Sequence, residues 1–139
     1  MAASVLQSLL EAIASERSGK FERSFHLADQ LLAEYGTADL AERLYRDIPE
    51  SWPWEVVADL YSILIWQTPD EGKALTNTTE RWLIECASER QARIALNLGV
   101  YPFLDRSKME QVLTGVAQRF PDLSDHCSSL IESRAAIRA

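Results

Sequence analysis

Glycine, histidine and cysteine are all scarce in this chain, and each shortage closes off a class of chemistry. The five glycines are spread about one to an element boundary. They leave no loop able to cradle a phosphate, and no Walker loop, GxGxxG or GxSxG stretch occurs. The two histidines, His26 and His126, and the two cysteines, Cys86 and Cys127, lack the spacing of a metal site, with no HExxH and no paired CxxC. Neither histidine has a glutamate three residues before it, which removes the Glu-x-x-His pattern of di-metal helical bundles. His126 and Cys127 are neighbours in a helical segment, where adjacent side chains point about 100° apart, so they do not make a thiolate and its base. The cysteines read as buried free thiols. The reading is a non-enzymatic chain with no cofactor, no metal and no catalytic residue.

Long apolar runs are missing as well. The longest, Val56 to Trp66, is interrupted by Asp59 and Ser62 and falls short of the roughly 20 residues that span a bilayer. The N-terminal stretch has no basic region and carries Glu11 and Glu16, unlike a secretory signal, so the expected location is cytoplasmic. The sequon at Asn77 carries no meaning without secretion.

Positive charge is the remaining shortage. Fourteen basic side chains face 21 acidic ones, a net charge of -7. Residues 1–70 hold 12 acidic and 5 basic side chains, and residues 71–139 hold 9 of each, so the first half carries the whole excess. Between Asp29 and Glu71 ten acidic residues face only Arg43 and Arg46. Such a region repels nucleic acid and anionic lipid and steers a basic protein toward itself. The same charge would also serve as a solvated face that keeps the chain soluble.

What the chain does have is helical periodicity. Apolar residues recur at three and four throughout, and no stretch alternates long enough for a strand. The pattern predicts an all-α fold, one domain over residues 1–139 with about seven or eight helices in antiparallel hairpins. Expected helices run from Ala3 to Glu16, Lys20 to Tyr35, Thr37 to Ile48, Trp52 to Gln67, Thr68 to Cys86, Ser88 to Gly99, Ser107 to Phe120 and Asp122 to Ile137. The segment Trp52–Gln67 is apolar nearly all round, with Glu55, Asp59 and Ser62 on one narrow stripe, and is the expected central helix. Thr68-Pro69-Asp70-Glu71 and Ser107 with Glu110 read as capping boxes. Helix pairs recur at roughly 34 residues, the spacing of stacked hairpins, so an α-solenoid-like array and an irregular bundle are both compatible. Gly19, Phe21 and Ala28 resemble the turn and second helix of a tetratricopeptide unit. The likeness covers one hairpin, no later segment repeats it, and the family is not assigned on it.

One stretch stands out for function: Glu50-Ser51-Trp52-Pro53-Trp54-Glu55. Two tryptophans flank a proline in the most acidic part of the chain. Pro53 suits a first helical turn, with Ser51 or Trp52 as the cap. Two bulky rings around one helix terminus do not both turn inward easily. Aromatic rings in an acidic rim form a protein-binding hot spot of the kind cations favour, although both rings packing over the end of the core is equally compatible. The candidate partner-binding residues are Asp47, Glu50, Trp52, Trp54, Glu55 and Asp59. The expected partner is a basic protein, and a specific version is an immunity or inhibitor protein that blocks a nuclease-like toxin. Other readings are a homodimer burying Tyr101 and Phe103, and a small-ligand binder or enzyme using Glu55 and Asp59 in a pocket.

Overall fold

The helical period governs the backbone throughout. The computed structural model describes residues 2–17, 19–98 and 100–136, with side chains from residue 5 onward. Among these residues there are eight α-helices and no strand: α1 (Ala2–Glu16), α2 (Glu22–Tyr35), α3 (Leu40–Asp47), α4 (Trp54–Gln67), α5 (Lys73–Glu85), α6 (Glu89–Leu96), α7 (Arg106–Arg119) and α8 (Ser124–Ala136). A single 3-10 turn, Pro121–Leu123, precedes α8, because Pro121 interrupts the helical hydrogen bonding that ran up to Phe120. α6 ends at Leu96, short of the expected Gly99, and the expected end of the last helix at Ile137 lies outside the described residues.

The chain gathers into two compact units, Met1–Thr78 and Thr79–Ala139. In the first, α1, α2 and α4 pack on one another. Leu6, Leu9, Leu10 and Ile13 of α1 and Ala28 and Leu31 of α2 are buried, as are eight consecutive-turn residues of α4: Val56, Val57, Ala58, Leu60, Tyr61, Ile63, Leu64 and Ile65. α4 is thus the central helix of this unit, and its contact with both α1 and α2 makes a bundle rather than a simple stack of pairs. The Tyr61 hydroxyl donates to the Ala41 carbonyl at 2.6 Å, tying α3 to the same helix. Phe25, placed on the apolar stripe of α2 by its spacing, is 44% exposed instead, and Ser24 takes the buried position.

In the second unit Leu83, Ala92, Ala95, Leu96, Phe103, Met109, Leu113, Val116, Leu123 and Cys127 form one core, bordered by Cys86, Tyr101, Val112, Phe120, Leu130 and Ile131. Phe103 is therefore part of this unit's own interior. The connector between α6 and α7 is held by Arg134 from α8, which donates to the carbonyls of Pro102 (3.1 Å), Phe103 (2.7 Å) and Leu104 (2.7 Å). Glu80 accepts from the Phe103 amide at 2.7 Å. Leu104 stands at the tip of this clamped loop, 99% exposed.

Helix starts differ most from the sequence pattern. α5 begins at Lys73, not at a Thr68 cap: Glu71 and Gly72 both adopt positive φ (58° and 79°), and Asp70 takes the capping role, accepting from Gly72 N (3.0 Å) and Ala74 N (2.9 Å). Thr68 ends α4 instead. α7 is capped by Asp105, whose carboxylate accepts from Ser107 N at 3.0 Å, so Ser107 lies inside the helix. Ser88 does cap α6, accepting from Gln91 N. Gly115 lies within α7 and not at a boundary.

Candidate functional site

The corner between α3 and α4 is built by two proline-directed turns. α3 ends at Asp47, and Trp52 N donates to Pro49 O at 3.1 Å, closing a tight turn. Pro53 is the residue that precedes the first helical turn of α4, and its carbonyl accepts from Val56 N (3.1 Å) and Val57 N (3.4 Å). Neither Ser51 nor Trp52 is the cap. This register makes Trp54 the first and Glu55 the second residue of α4. Trp52, Trp54 and Glu55 are half-buried and Glu50 is exposed. Neither ring is fully enclosed, so the corner presents aromatic surface beside carboxylates.

Asp47 and Asp59 are engaged within the unit. Asp47 accepts from the Tyr35 hydroxyl at 2.8 Å and pairs with Arg46 at 3.4 Å. Burial, and then the Asp47 carboxylate, push the Tyr35 phenol up to about 12. Arg43 donates to the carbonyls of Tyr35 (2.7 Å) and Ala38 (3.1 Å) and lies over the Tyr35 ring, so it serves the end of α2. Asp59 pairs with Arg17 at 3.0 Å. Its carboxyl is nevertheless raised above the usual range, because burial, with a smaller push from Glu55, outweighs the favourable guanidinium. Arg17 comes from the turn after α1, outside the acidic window from Asp29 to Glu71.

Glu55, Asp59 and Ser62 lie on one side of α4, and the stripe continues one turn further to Trp66, which is 76% exposed. The helical spacing that links Glu55, Asp59 and Ser62 reaches Trp66 four residues further on. Next to this end of α4, Gln67 Nε2 donates to Phe25 O at 3.1 Å, bringing the exposed Phe25 of α2 alongside. The first unit, Met1–Thr78, holds 13 acidic and 6 basic side chains, a net charge of -7, and Thr79–Ala139 holds 8 of each. The charge boundary therefore follows the structural one.

His26 lies on α2, and His126 and both cysteines belong to the second unit. His26 Nε2 is 3.2 Å from Gln30 Nε2 on α2, and His126 Nε2 is 3.2 Å from Leu96 O. Burial pushes the Cys127 thiol up to about 11 and raises that of Cys86, the opposite of what an activated nucleophile requires. Among the described residues no three His, Cys, Asp or Glu side chains converge to hold a metal ion, and no helix is long and apolar enough to cross a membrane. Compared with known proteins, the chain matches no family model, no curated protein and no solved structure.

Proposed function

We propose that the chain is a non-enzymatic protein-interaction module that binds a basic protein through the α3–α4 corner, with Glu50, Trp52, Trp54 and Glu55 at its centre and Asp47 and Asp59 at its margins. The observation that carries this reading is the segregation of charge: all of the net -7 belongs to the unit that presents these residues. A basic partner is drawn to such a surface by its long-range field, and half-buried tryptophans supply the contact area that charge alone does not. The specific form is an inhibitor or immunity protein that covers the cationic substrate cleft of a nuclease-like toxin.

The test begins with capture from native lysate and elution by a salt gradient. The eluted basic protein is then bound again to purified wild-type and variant chains. Trp52→Ala with Trp54→Ala should raise the dissociation rate, and Glu50→Lys with Glu55→Lys should slow association. Unchanged rates in both variants would remove the corner from the interface.

A second reading, self-association, draws support from the other unit. Leu104 is fully exposed at the tip of the loop held by Arg134, and Leu96, Val100, Tyr101 and Leu130 line an apolar hollow of about 270 Å³. A light-scattering mass of one chain over a wide concentration range would dismiss it.

A further inference from the structure

The outward face of α4 combines three features that the α3–α4 corner alone does not have. First, its stripe runs from Glu55 through Asp59 and Ser62 to Trp66, a span of about 16 Å along the helix axis, the length over which an apposed helix presents three turns. Second, the stripe is polarised. Carboxylates occupy the N-terminal part, next to Glu50 and the tryptophan turn, while the C-terminal part carries Trp66 at 76% exposure with Phe25 at 44% on the neighbouring helix. Third, one position on it already holds a guanidinium: Arg17 Nε lies 3.0 Å from Asp59 Oδ2, with the arginine side chain 47% exposed and the carboxylate 29% exposed. An isolated ion pair with its arginine exposed and its carboxylate half-buried contributes little, and the arginine exchanges with a competing cation.

We propose that this face of α4 seats an arginine-bearing amphipathic segment of a partner protein, one arginine of which displaces Arg17 from Asp59 while the segment's apolar side covers Trp66 and Phe25. The inference rests on the basic-partner reading above and specifies the surface and the chemistry of the segment. Arginine is favoured over lysine because its planar group pairs with a carboxylate through two parallel hydrogen bonds and stacks on an indole face. Charge complementarity selects this occupant: the unit carries -7, and its acidic end of the stripe and aromatic end match a segment with cations at one end and apolar side chains at the other. Arg17 acts as an internal placeholder. It shields Asp59 in the free protein and competes with the incoming arginine.

The placeholder makes the test asymmetric. The probe is a fluorescein-labelled helical peptide of arginine, leucine and alanine with its arginines clustered toward one end, titrated with the full chain by fluorescence anisotropy. Trp66→Ala should weaken binding about tenfold, the cost of losing a hot-spot aromatic, and its melting temperature should match the wild type because the ring is exposed. Arg17→Ala should tighten binding several-fold, and Asp59→Asn should abolish that gain. The same peptide with lysine for arginine should bind less tightly. The proposal is overturned if the arginine peptide does not bind the wild-type chain, if Trp66→Ala leaves its affinity unchanged, or if Arg17→Ala weakens it. It is equally overturned if Trp66 proves to mediate attachment to zwitterionic lipid vesicles instead. Loss of peptide binding in Trp52→Ala with Trp54→Ala, beside an unaffected Trp66→Ala, would leave the basic-partner reading standing and remove only the α4 face.

Discussion

Tyr35 and Gly72 show how single residues are constrained here. The Tyr35 phenol is partly withdrawn from water and donates a hydrogen bond to Asp47, and both effects favour the neutral form. Its folded-state value, about 12, lies above that of the unfolded chain. The stabilisation it contributes is therefore complete below pH 10 and is lost as pH rises from about 10 to 12. Replacing Asp47 by asparagine should bring one tyrosine's phenolate absorbance transition down toward the ordinary value, a change visible in an ultraviolet pH titration. Gly72 is constrained by space as well as by backbone. With φ at 79°, a Cβ there would lie 2.7 Å from Ile65 Cγ2 and 2.8 Å from Ile65 Cα, and the backbone atom has nowhere to go. Gly72→Ala should cost about 2–4 kcal/mol, combining the left-handed penalty with overpacking, read as a lower denaturant midpoint with an unchanged slope.

At the level of elements, the helices themselves were legible and their ends less so. The apolar stripes of α1, α4 and α7 are local patterns, and Leu6, Leu9, Leu10, Ile13, Met109, Leu113 and Val116 are buried as their spacing predicts. Starts depend on which group satisfies the first amides, and that group need not be a neighbour in sequence. α2 is the clearest case. Phe21 precedes the helix and offers no capping side chain, and the cap comes from Glu16 at the end of α1. Its carboxylate accepts from Ser24 N (2.9 Å), Ser24 Oγ (2.6 Å) and Arg23 N (3.2 Å). These bonds, the Ser24 hydroxyl foremost, hold the Glu16 carboxyl below its ordinary range. The stabilisation is present above that range and disappears as pH falls through the lowered value. Glu16→Ala should lower the melting temperature at neutral pH and converge with the wild type in acid, as a pair of pH-dependent melts would show. The same distinction explains the candidate site. The tryptophan corner follows from adjacent residues and was visible in the sequence, whereas Arg17 on Asp59 and Phe25 beside Gln67 join positions 42 residues apart in each case.

Taken as a whole molecule, the chain separates charge from neutrality along its structural division. Residues 1–78 carry -7 and residues 79–139 carry none. If the first unit steers a basic partner, the association rate should fall by about an order of magnitude as salt rises from low to physiological strength. Glu50→Lys with Glu55→Lys should flatten that dependence, and charge reversals at Glu110 or Asp122 in the neutral unit should leave it intact. Stopped-flow association at several salt concentrations distinguishes these outcomes.

The clamp made by Arg134 has a consequence for the order in which the chain is built. Its partners, the carbonyls of residues 102 to 104, precede it by 30 to 32 residues. On a ribosome the connector, with Leu104 at its tip, therefore emerges well before the arginine that fixes it. Until α8 follows, the bend is held from the chain already made by Glu80 at the Phe103 amide but lacks its three carbonyl bonds to Arg134, an interval in which its apolar tip offers a chaperone a target.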